Sequence, residues 1–515
     1  MNDPNTLNHL GSLLEKQGRW DDAIETYQQA LTLDPAHAGA LEALCRLLEN
    51  LGRADEAIPF LDRATAGQPE PEWVAGCRSA WDRFERGQVD EALDLFRKAA
   101  AGTTPEPAET AIATIIPGSP QSGNQAIREA RARWAERYLP PALDRRRQPS
   151  GSPLRIGYVS SFFHCDNWMK PVWGLINSHD RRNFEIHLFS EAAVSTVRHG
   201  YRPHAQDRFH DISGMPISAA AECVEQAGID VLVDLNGYSR VQTLPLFALR
   251  PAPVVLGWFN MYATTGMRCY DCLIGDEEVI SKHEEQFYCE KIVRVPGCYL
   301  TFEVGYPTPP VAAAPCLARG MFTFGCLAPQ YKITAEVVRA WSRILLQAPR
   351  SSLLLRSTAL ASPAVREHVA GLFEACRIAP ERIRLEGPAE HFAFLHTYDE
   401  IDLALDTFPY SGGTTTMEAV WQGVPVVTFR GDRWAARTSA SILRAAGLGR
   451  FVGESLDDYV ATAAAVANSR EAWLQLGELR NSMRSKLLAS PVCDTRTFAR
   501  NMERIYSDLA LKAMA

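Results

Sequence analysis

The sequence predicts a set of helical repeats followed by two doubly wound α/β domains with a cleft between them. Three observations support this prediction. A pattern of small and large apolar residues repeats near the N-terminus, short β-rich runs alternate with helix-period segments from residue 154 onward, and a proline-rich segment at residues 307–315 divides those runs into two series. The length of 515 residues is enough for about three to four domains at roughly 150 residues each.

Composition excludes several classes of protein. Hydrophobic residues make up 46% and charged residues 22% of the chain, which argues against a disordered, collagen-like or coiled-coil protein. A net charge of −8 argues against nucleic-acid binding. We expect no membrane span, because the sequence has no apolar run of about 18 residues, and no signal peptide, because the N-terminus has no apolar core.

Cysteine usage predicts a cytoplasmic protein with reduced thiols. The 12 cysteines are scattered, and some lie within predicted strands. Cys269 and Cys272 form a C-x-x-C pair, but no second pair and no spaced histidines follow it. We therefore predict no metal site.

Helical repeats are predicted over residues 1–102. The first copy comprises Leu10, Gly11, Leu14, Gly18, Ala23, Tyr27, Ala30 and Pro35. Similar residue types recur 34 residues later, at Leu44, Cys45, Leu48, Gly52, Ala57, Leu61, Ala64 and Pro69. A third, partial copy has a first helix at 73–86 and then Gly87, Ala92, Phe96 and Ala99. The pattern resembles the tetratricopeptide repeat.

Tetratricopeptide repeats usually stack into a concave surface that binds polypeptides. They would hold a protein or peptide acceptor here, and they could also support oligomers. The alternative is a short helical cap that only covers the next domain. Residues 103–152 follow the repeats, are rich in proline and glycine, and are predicted to be a linker with one helix at 124–139.

Two series of β-rich runs predict two parallel sheets. The first half, 153–308, has runs at 154–160, 184–190, 229–235, 254–259, 272–275 and 292–295. The second half, 309–495, has runs at 322–326, 352–356, 382–386, 401–406 and 424–429. A terminal helix is predicted within 496–515. Ligands of such sheets bind at the carboxyl ends of the strands, and the absence of Walker and G-x-G-x-x-G loops disfavours P-loop kinases and classical dehydrogenases.

The segment DTFPYSGGTTTME, residues 406–418, is the strongest candidate for a binding site. It leaves a predicted strand, passes through two glycines and opens a helix with Thr414, Thr415 and Thr416. Free amide groups and the positive end of the helix dipole at such an N-terminus suit a diphosphate. Glu418, one turn further on, could accept hydrogen bonds from ribose hydroxyls. An ordinary capped helix would show the same pattern.

Residues 154–510 resemble the O-linked N-acetylglucosamine transferase family, including its bacterial members and the SPINDLY-like fucosyltransferases. The stretches that carry this resemblance are RIGYVSS at 155–161, DLNGY at 234–238, FALRPAP at 247–253, TTG at 264–266, YKI at 331–333, LDTFPYSGGTTT at 405–416, GVPVVT at 423–428, and GDR at 431–433 followed by Arg437. The resemblance implies a GT-B fold and inverting transfer from a nucleotide sugar. It also implies that no metal is used and that the acceptors are serine or threonine hydroxyls of proteins.

The resemblance assigns a nucleotide-sugar site. Lys332 matches the family lysine that contacts the donor diphosphate, where a cation would stabilise the leaving nucleotide. Phe394 takes the place of a histidine that stacks on the base, although a small gap would bring His391 or His396 there. The remaining residues assigned to this site are Ala389, Gly413, Thr414, Thr415, Thr416, Glu418 and Arg437. A surface salt bridge is the alternative role for Arg437.

The chain departs from the family around the acceptor and the transferred sugar. Asp166 occupies the position of a family histidine, and His164 lies two residues earlier, so the group that takes the acceptor proton is Asp166, His164 or neither. The usual loop GYPGTTG reads NMYATTG at 260–266. Residues expected near the acceptor or sugar are Asn236, Tyr238, Tyr262, Thr264 and Thr265.

The expected function is therefore protein O-glycosylation, with N-acetylglucosamine from a UDP-linked donor as the first candidate and no cofactor apart from that co-substrate. One alternative is a tetratricopeptide scaffold that binds nucleotide but does not react, because the family histidine is missing. Another is a transferase that uses GDP-fucose or UDP-glucose, or a non-protein acceptor.

Overall fold

The computed structural model describes residues 3–16, 19–35, 37–50, 60, 72–102, 104–141, 148–149, 151–191 and 200–514. It divides into two compact units, of which the first comprises residues 1–75 and 192–196 and the second the rest of the chain. Among the described residues, no helix combines the length and apolar character needed to cross a membrane.

The first unit contains three described helices, α1 (Pro4–Lys16), α2 (Trp20–Leu33) and α3 (Ala38–Asn50). The α1 and α2 helices pack closely because Gly11 leaves room for an aromatic ring: a Cβ at residue 11 would lie 2.5 Å from Cε1 of Tyr27, which is fully buried. This is the small–large pairing that the repeat pattern predicts. The C-terminal part of the second predicted repeat, including Gly52 and Pro69, lies outside the described residues.

The third predicted repeat forms the helix pair α4 (Glu72–Glu85) and α5 (Val89–Ala100). Their connection lies against the second α/β domain at Gly87, which has a left-handed φ of 82° and where a Cβ would come within 2.3 Å of the carbonyl oxygen of Ile333. The ring of Phe84 stacks on Tyr331, with centroids 4.9 Å apart. This repeat therefore contacts the segment that carries Lys332.

The predicted linker contains two helices instead of one, α6 (Glu106–Ile115) and α7 (Asn124–Tyr138). Proline causes the error, because Pro105 and Pro107 stand at the start of α6, where the missing amide hydrogen costs nothing, and do not break it. The α7 helix is packed against the first α/β domain: Nη1 of the buried Arg131 donates to the carbonyl oxygen of Thr264 at 2.8 Å. Residues 106–138 are thus part of the folded second unit.

The first α/β domain is built on a seven-stranded parallel sheet in the order β3-β2-β1-β4-β5-β6-β7. Its strands are β1 (Leu154–Ser160), β2 (Phe184–Ser190), β3 (Arg208–Asp211), β4 (Val231–Asp234), β5 (Val254–Gly257), β6 (Cys272–Gly275) and β7 (Lys291–Arg294). Its helices are α8 (Asp166–Ser178), α9 (Ile217–Gln226) and α10 (Leu244–Ala248). The sequence did not predict β3, because this edge strand reads Arg-Phe-His-Asp and is not apolar.

The second α/β domain has a six-stranded parallel sheet in the order β10-β9-β8-β11-β12-β13. Its strands are β8 (Phe322–Cys326), β9 (Ser351–Arg356), β10 (Ile383–Glu386), β11 (Leu403–Leu405), β12 (Val426–Phe429) and β13 (Val452–Gly453). Both sheets reverse their strand order beside the first strand, which is the Rossmann arrangement. Two Rossmann-like domains are therefore confirmed, and the missed strand, β13, has only two residues.

The helices from the second domain onward are α11 (Pro315–Arg319), α12 (Ala335–Gln347), α13 (Pro363–Ala375), α14 (His391–His396), α15 (Thr414–Trp421), α16 (Thr438–Ala445), α17 (Leu456–Asn468), α18 (Arg470–Leu488) and α19 (Thr495–Met514). The terminal helix α19 returns to the first domain. Its Glu503 accepts a hydrogen bond from the backbone amide of Asp180 at 2.8 Å, and its Tyr506 hydroxyl lies 3.1 Å from that of Tyr158. The last helix thus ties the C-terminal end of the chain to the first sheet.

Buried polar contacts also join the two domains directly. The guanidinium of Arg437 on α16 pairs with the carboxylate of Glu284 from the first domain. The hydroxyls of Tyr299 and Thr438 lie 3.1 Å apart, and Ser441 donates to Asp276. These contacts fix one side of the cleft between the domains.

Arg131 provides a test of how firmly α7 is built into the domain. Its guanidinium donates to the carbonyl oxygens of Ala113 and Thr264 and lies 3.8 Å from the ring centroid of Tyr238. We expect Arg131→Met to lower the free energy of unfolding by at least about 3 kcal/mol, because buried carbonyl groups lose their donors. Chemical denaturation measures this. Arg137→Met on the same helix removes an ion pair whose arginine is 52% exposed, and it should cost less than about 1 kcal/mol. Equal effects would mean that α7 is only loosely attached.

Candidate functional site

A cavity with a volume of about 480 Å³ lies where the carboxyl ends of both sheets face each other. The segments after β5, β8, β9, β10 and β11 contribute to its wall, as do helices α8 and α15. This is the place at which doubly wound sheets bind ligands. Its size suits a ligand larger than a single sugar.

The N-terminus of α15 forms the central part of the cavity wall. Gly413, Thr414 and Thr415 line the cavity. The preceding loop is held by the buried carboxyl of Asp406, which accepts hydrogen bonds from the backbone amide of Gly412 at 2.8 Å and from the hydroxyl of Thr428 at 2.7 Å. The free amide groups of the first turn, the helix dipole and two hydroxyls therefore meet at one place, which is an arrangement that binds phosphate.

Lys332 lines the cavity near this helix terminus. Its Nζ donates to the carbonyl oxygen of Ser411 at 2.9 Å and lies 3.9 Å from the ring centroid of Tyr410. Burial lowers the pKa of Lys332 to about 8, with the Asp406 carboxylate acting in the opposite direction. At neutral pH the side chain is therefore a largely desolvated cation next to the phosphate-binding turn.

Glu418 forms an ion pair across the cleft with Lys170 of α8. The Lys170 Nζ contacts Oε1 of Glu418, and the two side chains are 3% and 4% exposed. The same ammonium lies 4.2 Å from the ring centroid of Tyr306 and 3.0 Å from Nε2 of His391. Sequence analysis identified Glu418 but not Lys170, because the two residues are 248 positions apart and only the fold brings them together.

One end of the cavity has the character of a nucleobase pocket. Ala389 and Phe394 line it, together with Arg356 and Ser357 at the end of β9. The rings of Phe394 and His391 are nearly parallel, at an interplanar angle of 21° and a centroid distance of 6.3 Å. Flat apolar surface beside a few polar groups is what a planar base requires.

The opposite wall belongs to the first domain. Its loop after β5 contains Phe259 and Tyr262, which have left-handed φ values of 75° and 55°. Phe259, Asn260 and Tyr262 line the cavity, and the Tyr262 ring lies 5.0 Å from that of Tyr410. Non-glycine residues in this region of φ/ψ space are strained, and such residues cluster at functional sites. The loop brings the first domain close to Lys332.

Apart from the two candidates for the proton acceptor, six of the predicted site residues are not among those that line the cavity. The hydroxyls of Thr416 and Ser439 are hydrogen-bonded at 2.8 Å. Arg437 forms an ion pair with Glu284 in the interface between the two α/β domains. Asn236 and Tyr238 support backbone in the first domain: Oδ1 of Asn236 accepts from the amide of Ser161, and the Tyr238 hydroxyl donates to the carbonyl oxygen of Thr265. Thr264 and Thr265 bond the buried carboxylate of Glu290. These residues therefore support the structure around the cavity through their hydrogen bonds and ion pairs.

The two candidates for the proton acceptor lie at the start of α8. This helix begins at Asp166, and its Trp168 and Pro171 line the cavity, so the backbone at Asp166 is next to the wall. The side chain of Asp166 lies outside the described part of the chain. His164 is half-buried in the loop before the helix and is not among the residues that line the cavity.

Comparison with protein families gives two matches. A model of glycosyl transferase family 41 matches residues 139–305 and 317–502, which include the strands of both α/β domains and α19 in part. A tetratricopeptide repeat model matches residues 14–77. The second match confirms the repeats in the N-terminal region.

Individual proteins agree with these matches. A protein of Hordeum vulgare described as a probable UDP-N-acetylglucosamine–peptide N-acetylglucosaminyltransferase SPINDLY is 30% identical over 406 residues, which are 76% of this chain and 42% of the barley protein. A probable enzyme of the same description named SEC, from Arabidopsis thaliana, is 29% identical over 71% of this chain and 38% of its own length. The chain thus spans about two fifths of the length of these relatives.

Among solved structures, a mutant of the Thermobaculum terrenum O-GlcNAc transferase superposes with a TM-score of 0.83 at 29% identity. The match covers 99% of this chain and 98% of that protein.

The ion pair across the cleft predicts a strong energetic coupling between its partners. Lys170→Met and Glu418→Gln should each lower the free energy of unfolding by about 3 kcal/mol, and the double variant should lose clearly less than the sum, because each single change leaves a buried charge without its partner. A double-mutant cycle in chemical denaturation measures the coupling, which we expect to exceed about 1.5 kcal/mol.

The exposed pair Arg343–Asp457 is the matched control. It has a similarly short contact of 2.6 Å, but its side chains are 47% and 82% exposed. Its coupling energy should be below about 1 kcal/mol. If the Lys170–Glu418 cycle gave a value as small as this control, the pair would not hold the two domains together.

Proposed function

The chain belongs to glycosyl transferase family 41, and we propose that it transfers N-acetylglucosamine from UDP-N-acetylglucosamine to serine or threonine hydroxyls of a protein. The observation that carries this proposal is the convergence of the α15 N-terminus, Lys332 and a flat base pocket in one cavity between two Rossmann-like domains. The donor and acceptor are taken from the descriptions of the relatives and stand as proposals for this chain.

The donor would bind mainly to the second domain. Thr414, Thr415 and the free amides of α15 would bind the diphosphate, and Lys332 would neutralise part of its charge. The base would stack against Phe394. Lys170 contacts Oε1 of Glu418, which leaves Oε2 to accept a hydrogen bond from a ribose hydroxyl. A lysine and a helix dipole would then stabilise the leaving group without a metal ion.

The proposed reaction is an inverting displacement. The acceptor hydroxyl oxygen attacks the anomeric carbon from the side opposite the diphosphate, the bond from that carbon to the phosphate oxygen breaks, and UDP leaves with the bonding electron pair. The hydroxyl proton passes to a base at the start of α8, for which Asp166 is the first candidate and His164 the second. Lys332 and the helix dipole of α15 would stabilise the transition state, because negative charge develops on UDP as the bond to the sugar breaks.

The acceptor would approach from the side of the helical repeats. Tetratricopeptide repeats commonly bind polypeptides, and the third repeat contacts Tyr331, which lines the cavity. A peptide held on the third repeat would thus be presented near the sugar. Surfaces of this kind would also support oligomers. We further propose that the protein works in the cytoplasm, which the scattered positions of its 12 cysteines in the sequence favour.

A donor panel tests the proposed function. Purified protein is incubated with UDP-N-acetylglucosamine, UDP-glucose, UDP-galactose or GDP-fucose and a cell extract, and nucleotide release and protein mass are followed. We expect release of UDP and a mass increase of one N-acetylhexosamine on an acceptor. Lys332→Ala should reduce turnover at least about 100-fold. Binding of UDP without turnover of any donor would contradict the proposal and favour a non-catalytic scaffold.

The same assay separates the two candidate bases. Replacing a general base typically costs about 10²–10⁴ in rate. We expect Asp166→Asn to show such a loss in turnover while its affinity for UDP stays within twofold of the wild type, and His164→Asn to retain most activity. The reverse pattern would assign the proton to His164.

Lys332 also predicts a pH dependence of donor binding. Its pKa of about 8 lies below the ordinary value for lysine, so the ammonium is present at pH 7 and is lost as pH rises through about 8. The affinity for UDP, measured by calorimetry, should therefore fall about tenfold between pH 7.5 and 9.5. Lys332→Arg keeps its charge over this range and should show a nearly flat profile. A parallel decline in both proteins would mean that Lys332 is not the group responsible.

A further inference from the structure

Asn260 is a buried polar residue on the wall of the cavity, in the loop that follows β5. It lines the cavity and is 3% exposed. Within the described residues, its Nδ2 has no hydrogen-bond partner. A buried amide without a partner costs about 1–3 kcal/mol, so a structure that retains one beside a cavity calls for an explanation.

The position of Asn260 is fixed by its backbone. Its amide nitrogen donates to the carbonyl oxygen of Trp258 at 3.2 Å, and it stands between the strained residues Phe259 and Tyr262. Its own carbonyl oxygen lies against Gly237, where a Cβ would come within 2.7 Å of it. The loop therefore has little freedom to turn the side chain away, although rotation about the Cβ–Cγ bond exchanges the nitrogen and oxygen of the carboxamide.

The place of Asn260 in the cavity indicates which part of a donor it would meet. The phosphate-binding turn, Lys332 and the base pocket all belong to the second domain, whereas Asn260 belongs to the facing wall of the first domain. The Tyr262 ring from the same loop contacts Tyr410, over which Lys332 lies. A group attached to the β-phosphate beside Lys332 would therefore extend toward Asn260, and in a nucleotide sugar that group is the sugar.

On the basis of the proposed function, we infer that Asn260 binds the transferred sugar and contributes to the choice of donor. A carboxamide both donates and accepts hydrogen bonds, as a sugar hydroxyl does, so the two match without any change in charge. A donor whose sugar cannot pair with this amide would bind less tightly, because the buried amide would remain without a hydrogen bond. Asn260 is thus assigned as a specificity-determining residue and takes no part in proton transfer.

The test compares binding of UDP with binding of UDP-N-acetylglucosamine by isothermal titration calorimetry. Three proteins are used: the wild type, Asn260→Ala and Phe394→Ala. We expect Asn260→Ala to raise the Kd for the nucleotide sugar about tenfold and to leave the Kd for UDP within twofold, because only the sugar contact is lost. Phe394→Ala is the matched control, since loss of the base contact should weaken both ligands by the same factor.

Unchanged UDP binding in Asn260→Ala also shows that the variant is folded. Equal weakening of both ligands, or of neither, would overturn the assignment of Asn260. An effect confined to the KM for the acceptor protein would overturn it as well, because the residue would then contact the acceptor. Failure of the wild type to bind UDP or any nucleotide sugar would instead overturn the proposed function on which the inference rests.

Discussion

The buried ion pair between Lys170 and Glu418 is the contact on which the geometry of the cavity depends. It joins helix α8 of the first domain to helix α15 of the second at the edge of the cavity, with both side chains almost completely withdrawn from solvent. Separating two such charges without compensation is costly, so the pair favours one relative position of the two domains. The interface contact between Arg437 and Glu284 also favours this relative position of the two α/β domains. The phosphate-binding turn and the loop of Asn260 therefore face each other across a defined distance.

This arrangement divides the recognition of a nucleotide sugar between the domains. Fixed dipoles and a desolvated cation on the second domain are suited to a diphosphate, and they need no reorganisation as the leaving group develops charge. The first domain supplies the start of α8 and the loop of Asn260, so sugar recognition and proton transfer would occur on its side. The third helical repeat packs on Tyr331 beside Lys332, and this aromatic contact links the proposed acceptor-binding region to the proposed donor site.

Much of this organisation can be predicted from the sequence because it depends on local patterns. The apolar runs located eleven of the thirteen strands found among the described residues. The segment before Glu418 identified Gly413, Thr414 and Thr415, which do line the cavity. Errors arose where local pattern and tertiary role differ. Prolines at the start of α6 resembled breakers, and polar β3 did not resemble a strand. For Arg437 the sequence left a phosphate contact and a salt bridge open, and the structure shows a buried ion pair with Glu284.

The residues that sequence reasoning missed are those defined by distant contacts. Lys170 acquires its importance only from Glu418. The sequence offers His391 as an alternative to Phe394, but its contact with Lys170 is visible only in the structure. Asn260 is visible in the sequence as a departure from the family's loop, but its burial beside a cavity is visible only in the structure. A pattern along the chain can therefore locate the N-terminal turn of α15, whereas the wall that faces it must be found from the fold.

A crystal structure of the protein with UDP bound tests the central claim most directly. The account predicts that the diphosphate lies at the N-terminus of α15, within hydrogen-bonding distance of Thr414 or Thr415 and of the Lys332 ammonium, with uracil against Phe394 and the β-phosphate directed toward Asn260. A diphosphate bound away from α15, or UDP bound outside the cavity between the two domains, would contradict it.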